Sequence, residues 1–144
     1  MNKKFLKNKI FPKPKSVGQR QWGKEDLLVL ISKKLSLKKI IINKNKKGGL
    51  QYHHKKNECG YILKGKLKIK FDLGDGNLRS KILKKGDVFY FPNGLVHQEI
   101  ALTKCEIIEA STPYFNDRVR VEEKYKVKIS GGLPTTKKKN VKFL

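Results

Sequence analysis

Two short segments of the sequence contain side chains of the types that bind metal ions. The first segment carries Gln51, His53 and Glu58, and the second carries His97. Imidazole nitrogens and carboxylate oxygens are common ligands of divalent transition metals, which polarise a substrate and lower its reaction barrier. A single histidine is more often an ordinary core residue. The spacing of these residues therefore decides between a metal site and a plain core.

The local structure expected around these residues brings them to one point. Side chains alternate along a β-strand, so Gln51 and His53 project from the same face. A turn after His53 lets the chain return as a neighbouring strand that carries Glu58. The Pro-Asn-Gly sequence at 92–94 turns the chain again, and His97 then begins another strand. The four side chains can therefore converge inside a barrel.

The rest of the chain is also rich in β-strand signals. Residues 66–71 alternate polar and apolar side chains, and residues 87–92 and 125–130 are further β-rich runs. Residues 27–35 are the one helical candidate, but their apolar side chains fit two strands equally well. Short strands separated by turn sequences at intervals of about 8–12 residues predict an all-β sandwich or barrel.

Length and composition limit the chain to one domain. Its 144 residues are 38% apolar, which is enough for a single packed core. Residues 1–16 are basic and contain two prolines, so we expect an N-terminal arm there. Residues 131–144 contain Gly-Gly and Lys-Lys-Lys and predict a basic C-terminal tail. The folded domain is expected over residues 17–130.

The net charge of +23 raises the question of nucleic-acid binding. Only four of the 35 basic residues are arginine, although the guanidinium fork is the usual reader of phosphates and bases. The lysines also run from end to end, as codon bias in an AT-rich genome would produce. We expect no specific nucleic-acid partner, whereas an anionic small molecule would be attracted by this field.

The sequence predicts a cytoplasmic protein with no membrane partner. No stretch approaches the ~20 uninterrupted apolar residues of a membrane span. Lysines interrupt the apolar residues at the N-terminus, where a secretory signal needs a continuous run. Cys59 and Cys105 are too few for a disulfide framework, which fits a reducing compartment. We expect both cysteines to be structural.

The two segments resemble the paired motifs of the cupin superfamily. In that pattern a pair of metal ligands precedes a glutamate, and six residues separate this glutamate from a glycine, as between Glu58 and Gly65. The second motif, G-x5-P-x-G-x2-H, matches residues 86–97 and ends at His97. Gln51 occupies the first position of the usual His-x-His pair.

Glutamine at this position resembles the phosphomannose isomerases and their single-domain cupin relatives, in which Lys-x-Glu follows, as at Lys56 and Glu58. The sequences RQWGKE at 20–25 and EASTPYFNDRVRVEEKY at 109–125 also agree, so the resemblance covers residues 17–126. It implies a single cupin jelly-roll β-barrel. It also implies a divalent metal ion, with zinc preferred over manganese, iron, cobalt or nickel. The ligands would be Gln51, His53, Glu58 and His97.

The resemblance implies a sugar-phosphate isomerase of the mannose-6-phosphate type, with a sugar phosphate as its small-molecule partner. A bound metal would polarise the sugar carbonyl, and Lys56 would stabilise the developing negative charge. Glu99 lies two residues beyond His97 and shares its face if the strand continues, which makes it a candidate general base. Arg118 and Arg120 alternate with valines, so they either bind the phosphate or line a solvated strand.

The sequence leaves other functions open. The phosphomannose isomerases have an active-site arginine shortly before a Thr-Pro pair, whereas residues 107–111, before Thr112, contain no basic group. A non-catalytic cupin that binds a sugar or sugar nucleotide is therefore the main alternative, and an iron-dependent oxygenase is a third. We also expect a homodimer, because a second subunit can cover an N-terminal arm and an open sheet edge.

Overall fold

Antiparallel β-strands dominate the computed structural model, which describes residues 2–144. A short helix, α1 (Lys3–Ile10), precedes them, and a 3₁₀ turn (Lys138–Asn140) lies near the C-terminus. The strands of this part of the chain are β1 (Lys15–Arg20), β2 (Gly23–Ile31), β3 (Leu35–Ile42), β4 (Gln51–Tyr52), β5 (Glu58–Lys64), β6 (Leu67–Asp72), β7 (Leu78–Leu83), β8 (Val88–Phe91), β9 (His97–Ala101), β10 (Cys105–Ser111), β11 (Tyr114–Phe115), β12 (Val119–Arg120) and β13 (Lys142–Phe143).

The strands form two main sheets with the core between them. The larger sheet has the strand order β1-β2-β3-β10-β5-β8, and the smaller has the order β12-β4-β9-β6-β7. A third, two-stranded sheet pairs β11 with β13. Both main sheets contribute to the apolar core, which includes Ile40, Ile42, Ile62, Leu67, Ile69, Leu83, Phe89, Phe91 and Ile107. The predicted all-β jelly-roll is therefore confirmed.

Strand β10 illustrates how the sequence produces this arrangement. Its side chains alternate between buried and half-buried along the whole strand, and those of Cys105 and Ile107 are completely shielded from solvent. The strand lies between β3 and β5 in the larger sheet. Burial of an isoleucine such as Ile107 contributes about 1.5–3 kcal/mol to folding. The same alternation turns Glu109 into the interior.

Two of the three predicted β-rich runs correspond to strands, and the helical candidate forms strands as well. Residues 66–71 and 87–92 match β6 and β8. Residues 27–35 are divided between β2 and β3, because the chain reverses direction between them. At this reversal the Lys34 N–H donates to the Ile31 carbonyl oxygen at 2.9 Å, and Lys33 has a φ of 58°.

The strand predicted over residues 125–130 is wrong. The Val127 N–H donates to the Glu122 carbonyl oxygen at 3.1 Å, and Lys126 has a φ of 54°. These local hydrogen bonds form a turn in place of a strand ladder. Alternation of polar and apolar side chains is therefore not sufficient for a strand at this position.

The predicted arm over residues 1–16 contains regular structure. Helix α1 begins after Asn2, whose side chain accepts a hydrogen bond from the Lys4 N–H at 2.9 Å. None of the residues of α1 is buried, and β1 already begins at Lys15. Met1 lies outside the described residues. Within residues 2–144, no helix is long and apolar enough to cross a membrane.

The predicted tail over residues 131–144 lies against the rest of the chain. Strand β13 pairs with β11, and the Phe143 ring stacks on Tyr114 with centroids 4.8 Å apart. The Leu144 N–H donates to the Pro113 carbonyl oxygen at 2.6 Å. These contacts attach the end of the tail to β11 and Pro113.

Candidate metal centre

Three of the predicted metal ligands meet in the interior. His53 follows β4, Glu58 begins β5 and His97 begins β9. The Nε2 atoms of His53 and His97 lie 3.1 and 3.0 Å from the same oxygen of Glu58, Oε1. All three residues are buried, and their possible ligand atoms lie within 4.8 Å of one another. The turn predicted between His53 and Glu58 therefore brings these two side chains together.

Hydrogen bonds on the far side of each ring determine which histidine nitrogen is protonated. His97 Nδ1–H donates to the Leu95 carbonyl oxygen at 2.9 Å, and His53 Nδ1–H donates to the Asp117 carbonyl oxygen. A neutral imidazole has one N–H, so both Nε2 atoms then present lone pairs to the Glu58 carboxylate. Three buried electron-pair donors are stable together only with a cation or a shared proton between them. This donor set fits a divalent metal ion.

Charges nearby affect the three residues differently. Burial and then the positive charge of Lys56 lower the pKa of His53. Burial also opposes the charged form of His97, but the hydrogen bond to Glu58 and its charge outweigh burial and raise the pKa of His97. Burial disfavours ionised Glu58, yet Lys56 and the two histidines hold the pKa of Glu58 well below its usual range. Glu58 is therefore anionic, as metal binding requires.

Lys56 lies beside this cluster. Its Nζ is 3.0 Å from Glu58 Oε2, the oxygen that does not contact the histidines. Burial opposes the charged form of Lys56, but the charges of Glu58 and Glu109 outweigh burial and raise the pKa of Lys56. The ammonium group thus stays positive next to the cluster. Stabilisation of negative charge on a substrate by Lys56 stays a prediction.

His53, Glu58 and His97 line a cavity. Gln51 lines the same cavity and lies opposite His97 in the β4–β9 pair. Directly opposite residues of antiparallel strands have neighbouring side chains. Gly49 leaves space for the amide, since a Cβ at Gly49 would lie only 3.3 Å from Gln51 Oε1. Gln51 as a fourth metal ligand stays a prediction.

Glu99, the candidate general base, also lines the cavity. Its Oε1 atom is buried and has no hydrogen-bond partner within residues 2–144. Burial, followed by the negative charge of Glu58, raises the pKa of Glu99 to about 7. A carboxyl group with this pKa can accept and release a proton near neutral pH, as a general base must.

The two arginines expected to bind substrate line the cavity in different ways. Arg120 forms an ion pair with Glu122 and donates to three carbonyl oxygens of residues 130–133. Arg118 donates to Asn116 Oδ1 at 2.9 Å and to one tail carbonyl oxygen at 3.3 Å. Arg120 therefore holds the tail at the cavity mouth. Substrate binding by these two arginines stays a prediction.

The site contains two buried acids that the sequence did not indicate. Asp117 accepts hydrogen bonds from the backbone N–H groups of residues 54–56 at 2.7–2.8 Å and so fixes the loop before Glu58. Glu109 lines the cavity from β10, and burial together with the charge of Glu58 raises the pKa of Glu109 well above its usual range. Asp117 and Glu109 are each more than 50 residues away in sequence from the residues that they affect. The spacing of neighbouring residues therefore could not predict that these acids belong to the site.

These side chains line a cavity of about 310 Å³. Its volume is at the lower end of the range for small-molecule sites. Trp22 and Tyr114 line it together with the charged residues. The cavity therefore suits a small polar molecule.

Comparison with known proteins gives a family and several relatives. A family model described as cupin matches residues 13–118. Probable germin-like protein subfamily 2 member 5 of Arabidopsis thaliana is 30% identical over 102 residues, which cover 69% of this chain and 46% of that protein. Germin-like protein subfamily 2 member 1 of the same plant is 47% identical over 45 residues, 31% of this chain and 20% of that protein. The chain thus spans less than half the length of these relatives.

Solved structures with the same fold include two bacterial proteins. CapF, a capsular polysaccharide assembling protein from Staphylococcus aureus, aligns with a TM-score of 0.61 and 19% identity over 69% of this chain and 28% of that one. A variant of oxalate decarboxylase from Bacillus subtilis aligns with a TM-score of 0.59 and 17% identity over 71% of this chain and 28% of that one. These likenesses show the fold alone. Because the cupin model covers more than half of the sequence, the chain belongs to the cupin family.

Proposed function

We propose that this chain is a metal-dependent sugar-phosphate isomerase that interconverts an aldose and a ketose, of the mannose-6-phosphate type. The supporting observation is that Glu99, whose Oε1 atom is buried and whose pKa is raised, shares one cavity with the His53–Glu58–His97 cluster. Isomerisation moves a proton between neighbouring carbon atoms. It therefore needs a base that also serves as an acid.

The proposal gives each residue a defined part. His53, Glu58 and His97 would hold the metal ion, with Gln51 as the fourth ligand, and the ion would supply Lewis-acid stabilisation of negative oxygen on the substrate. Glu99 accepts the proton from C2 of the aldose and returns it to C1, while the hydroxyl proton moves from O2 to O1. Lys56 Nζ carries a positive charge next to the cluster and would stabilise the negative charge that develops on the substrate.

A coupled assay tests this reaction. Protein loaded with Zn²⁺ or Mn²⁺ is expected to convert mannose 6-phosphate to fructose 6-phosphate, and protein treated with EDTA is expected to be inactive. His54→Ala, which changes a histidine that does not line the cavity, should keep both metal and activity. No turnover with any of the five candidate metals, in protein that retains the metal, would overturn the proposed reaction.

A non-catalytic role in binding a sugar or sugar nucleotide is the second candidate. Arg120 is engaged by Glu122 and residues 130–133, and residues 107–111 have no arginine where the phosphomannose isomerases carry one. A binding protein does not need that group. Calorimetric binding of a sugar nucleotide without turnover of sugar phosphates would favour this candidate over the enzyme.

We also propose that the protein acts in the cytoplasm. Cys59 and Cys105 are free thiols, and Cys59 is exposed to solvent. Exposed free thiols persist in a reducing compartment. Fractionation of cells that express the protein, with a cytoplasmic enzyme as marker, tests this location.

A further inference from the structure

Three of the four arginines in the chain line one cavity. Arg20, Arg118 and Arg120 face it, whereas Arg79 lies on the surface and pairs with Asp75. The other 31 of the 35 basic residues are lysines, so a codon bias towards lysine does not explain arginine at this place. The guanidinium group donates hydrogen bonds in a planar fork that matches the oxygens of phosphate and carboxylate groups.

Arg120 already has a protein acceptor for each of its nitrogens. Its Nε and Nη2 donate to Glu122, and its Nη1 and Nη2 donate to carbonyl oxygens of residues 130–133. The side chain is only 14% exposed. These hydrogen bonds hold residues 130–133 beside the cavity, and each Arg120 nitrogen donates to the protein itself.

Arg20 and Arg118 each keep a free donor. Arg20 uses Nε and Nη2 on Glu25, at 3.2 and 3.1 Å, and within residues 2–144 its Nη1 has no acceptor. Arg118 uses Nη2 on Asn116 and Nη1 on the Pro134 carbonyl oxygen, and over the same part of the chain its Nε has none. Because both residues line the cavity, these donors can reach a molecule bound there.

The two guanidinium groups approach the cavity from different sheets. Arg20 ends β1 of the larger sheet, and Arg118 immediately precedes β12 of the smaller one. Burial, followed by the positive charges of Arg20 and Arg120, lowers the pKa of Arg118. Lys38, whose Nζ is 3.8 Å from Glu25 Oε1, lines the same cavity. Glu25 neutralises one of these positive charges, and a bound anion would relieve the repulsion that remains among Arg20, Arg118 and Lys38.

We infer that Arg20 and Arg118 form a subsite for a phosphate monoester at the cavity mouth, and that Arg120 is a positioning residue. This inference rests on the proposed function, because it assigns the charged end of the sugar phosphate to these residues. A phosphate dianion has three terminal oxygens, so it can accept hydrogen bonds from two guanidinium groups at once. Its two negative charges balance the net charge of +2 that Arg20, Arg118, Lys38 and Glu25 carry together.

Inorganic phosphate is the probe that tests the subsite. Trp22 is the only tryptophan in the sequence and lines the cavity, so its fluorescence reports binding there. Protein treated with EDTA is titrated with phosphate at constant ionic strength. Wild-type protein is expected to bind saturably, and Arg20→Gln and Arg118→Gln are expected to raise the Kd for phosphate at least tenfold.

Arg79→Gln is the matched control, because it removes the same charge from a surface position outside the cavity. It should leave the Kd unchanged, whereas an equal effect in all three variants would show general attraction by the net charge and overturn the subsite. No saturable binding in wild type would overturn it as well. Arg20→Lys keeps the charge without the fork and should bind phosphate at an intermediate level, and circular dichroism shows whether each variant is folded.

The titration in EDTA is independent of catalysis. If Arg20 and Arg118 are required for phosphate binding but mannose 6-phosphate is not isomerised, the subsite stands and the proposed reaction fails. If the sugar phosphate is isomerised but Arg20→Gln and Arg118→Gln change neither Kd nor KM, the reaction stands and the subsite fails.

Discussion

His53 and His54 are adjacent, yet only His53 faces Glu58. His53 Nε2 lies 3.1 Å from Glu58 Oε1, whereas His54 Nε2 lies 2.8 Å from the Thr136 carbonyl oxygen. Neighbouring side chains of an extended segment project in opposite directions, which explains the difference. We predict that His97→Ala lowers metal affinity at least tenfold, because it removes a direct ligand, and that His54→Ala does not. Metal content after dialysis measures both, and an equal loss would contradict this assignment.

Glu99→Gln removes the ionisable group of the candidate base and keeps its size. We expect kcat to fall by roughly 10²–10⁴, the usual contribution of a general base, with metal content unchanged. Since the pKa of Glu99 is about 7, its basic form is lost as the pH falls through 7. The wild-type rate should therefore decline below about pH 7, and the residual rate of the variant should lack this decline. Wild-type kcat in Glu99→Gln would assign the base to another group.

Part of the site could be predicted from sequence because short-range spacing fixes it. Strand alternation and one turn determine how His53 meets Glu58. Asp117 contacts the His53 ring across 64 residues, and Glu109 reaches the cavity from β10. No local period connects such residues, since the pairing of strands brings them together.

An aromatic stack connects strand β8 with the metal centre. The Phe89 ring stacks on Phe91 and the Phe91 ring on His97, with centroid distances of 4.5 and 4.1 Å. Gly60, in the neighbouring strand β5, makes room for this stack. A Cβ at Gly60 would lie 2.2 Å from the Phe89 ring.

Gly60→Ala should therefore displace Phe89 and disturb the rings that support His97. We expect the free energy of unfolding to fall by about 1–3 kcal/mol, the usual cost of overpacking a core, as measured by urea denaturation. Gly48→Ala is the matched control, because a Cβ there meets nothing within 4 Å. A similar loss in Gly48→Ala would show that the effect comes from the backbone and not from the stack.

The alternation of polar and apolar side chains predicted β6 and β8, because each of these strands has one buried face. It failed over residues 125–130, where local hydrogen bonds turn the chain. It also gave no information about the tail, whose position depends on contacts with remote residues such as Arg120. Elements are thus predictable from sequence where burial determines them and unpredictable where single polar contacts do.

Arg120→Gln tests whether polar contacts hold the tail. The change removes the ion pair with Glu122 and weakens the hydrogen bonds to residues 130–133. We expect trypsin to cleave at the lysines of residues 137–139 several-fold faster, because the tail opens more often. Mass spectrometry of the fragments measures this rate. The control, Arg79→Gln, should be cleaved at these lysines at the wild-type rate. Equal cleavage rates in Arg120→Gln and Arg79→Gln would contradict a role for Arg120.

For the whole molecule, net charge and an apolar surface have opposite effects on association. Each chain carries a charge of +23, which opposes contact between copies. Val88, Tyr90 and Tyr61 are 70%, 64% and 43% exposed. Val88 and Tyr61 are direct partners in the β5–β8 pair, so their side chains share the outer face of the larger sheet. Strand β8 ends that sheet, and a second copy would cover both the face and the edge.

We therefore predict a homodimer whose formation depends on salt. The Debye length falls from about 10 Å at 0.1 M salt to about 3 Å at 1 M, so repulsion weakens while apolar burial persists. Light scattering should show the mass rising towards that of a dimer as salt increases. Combined Val88→Asn and Tyr90→Asn changes, which leave the net charge unaltered, should keep the chain monomeric. Ile82→Asn alters a side chain that is 57% exposed on β7, at the end of the other sheet, and should leave the dimer intact. A wild-type monomer at 1 M salt would contradict the prediction.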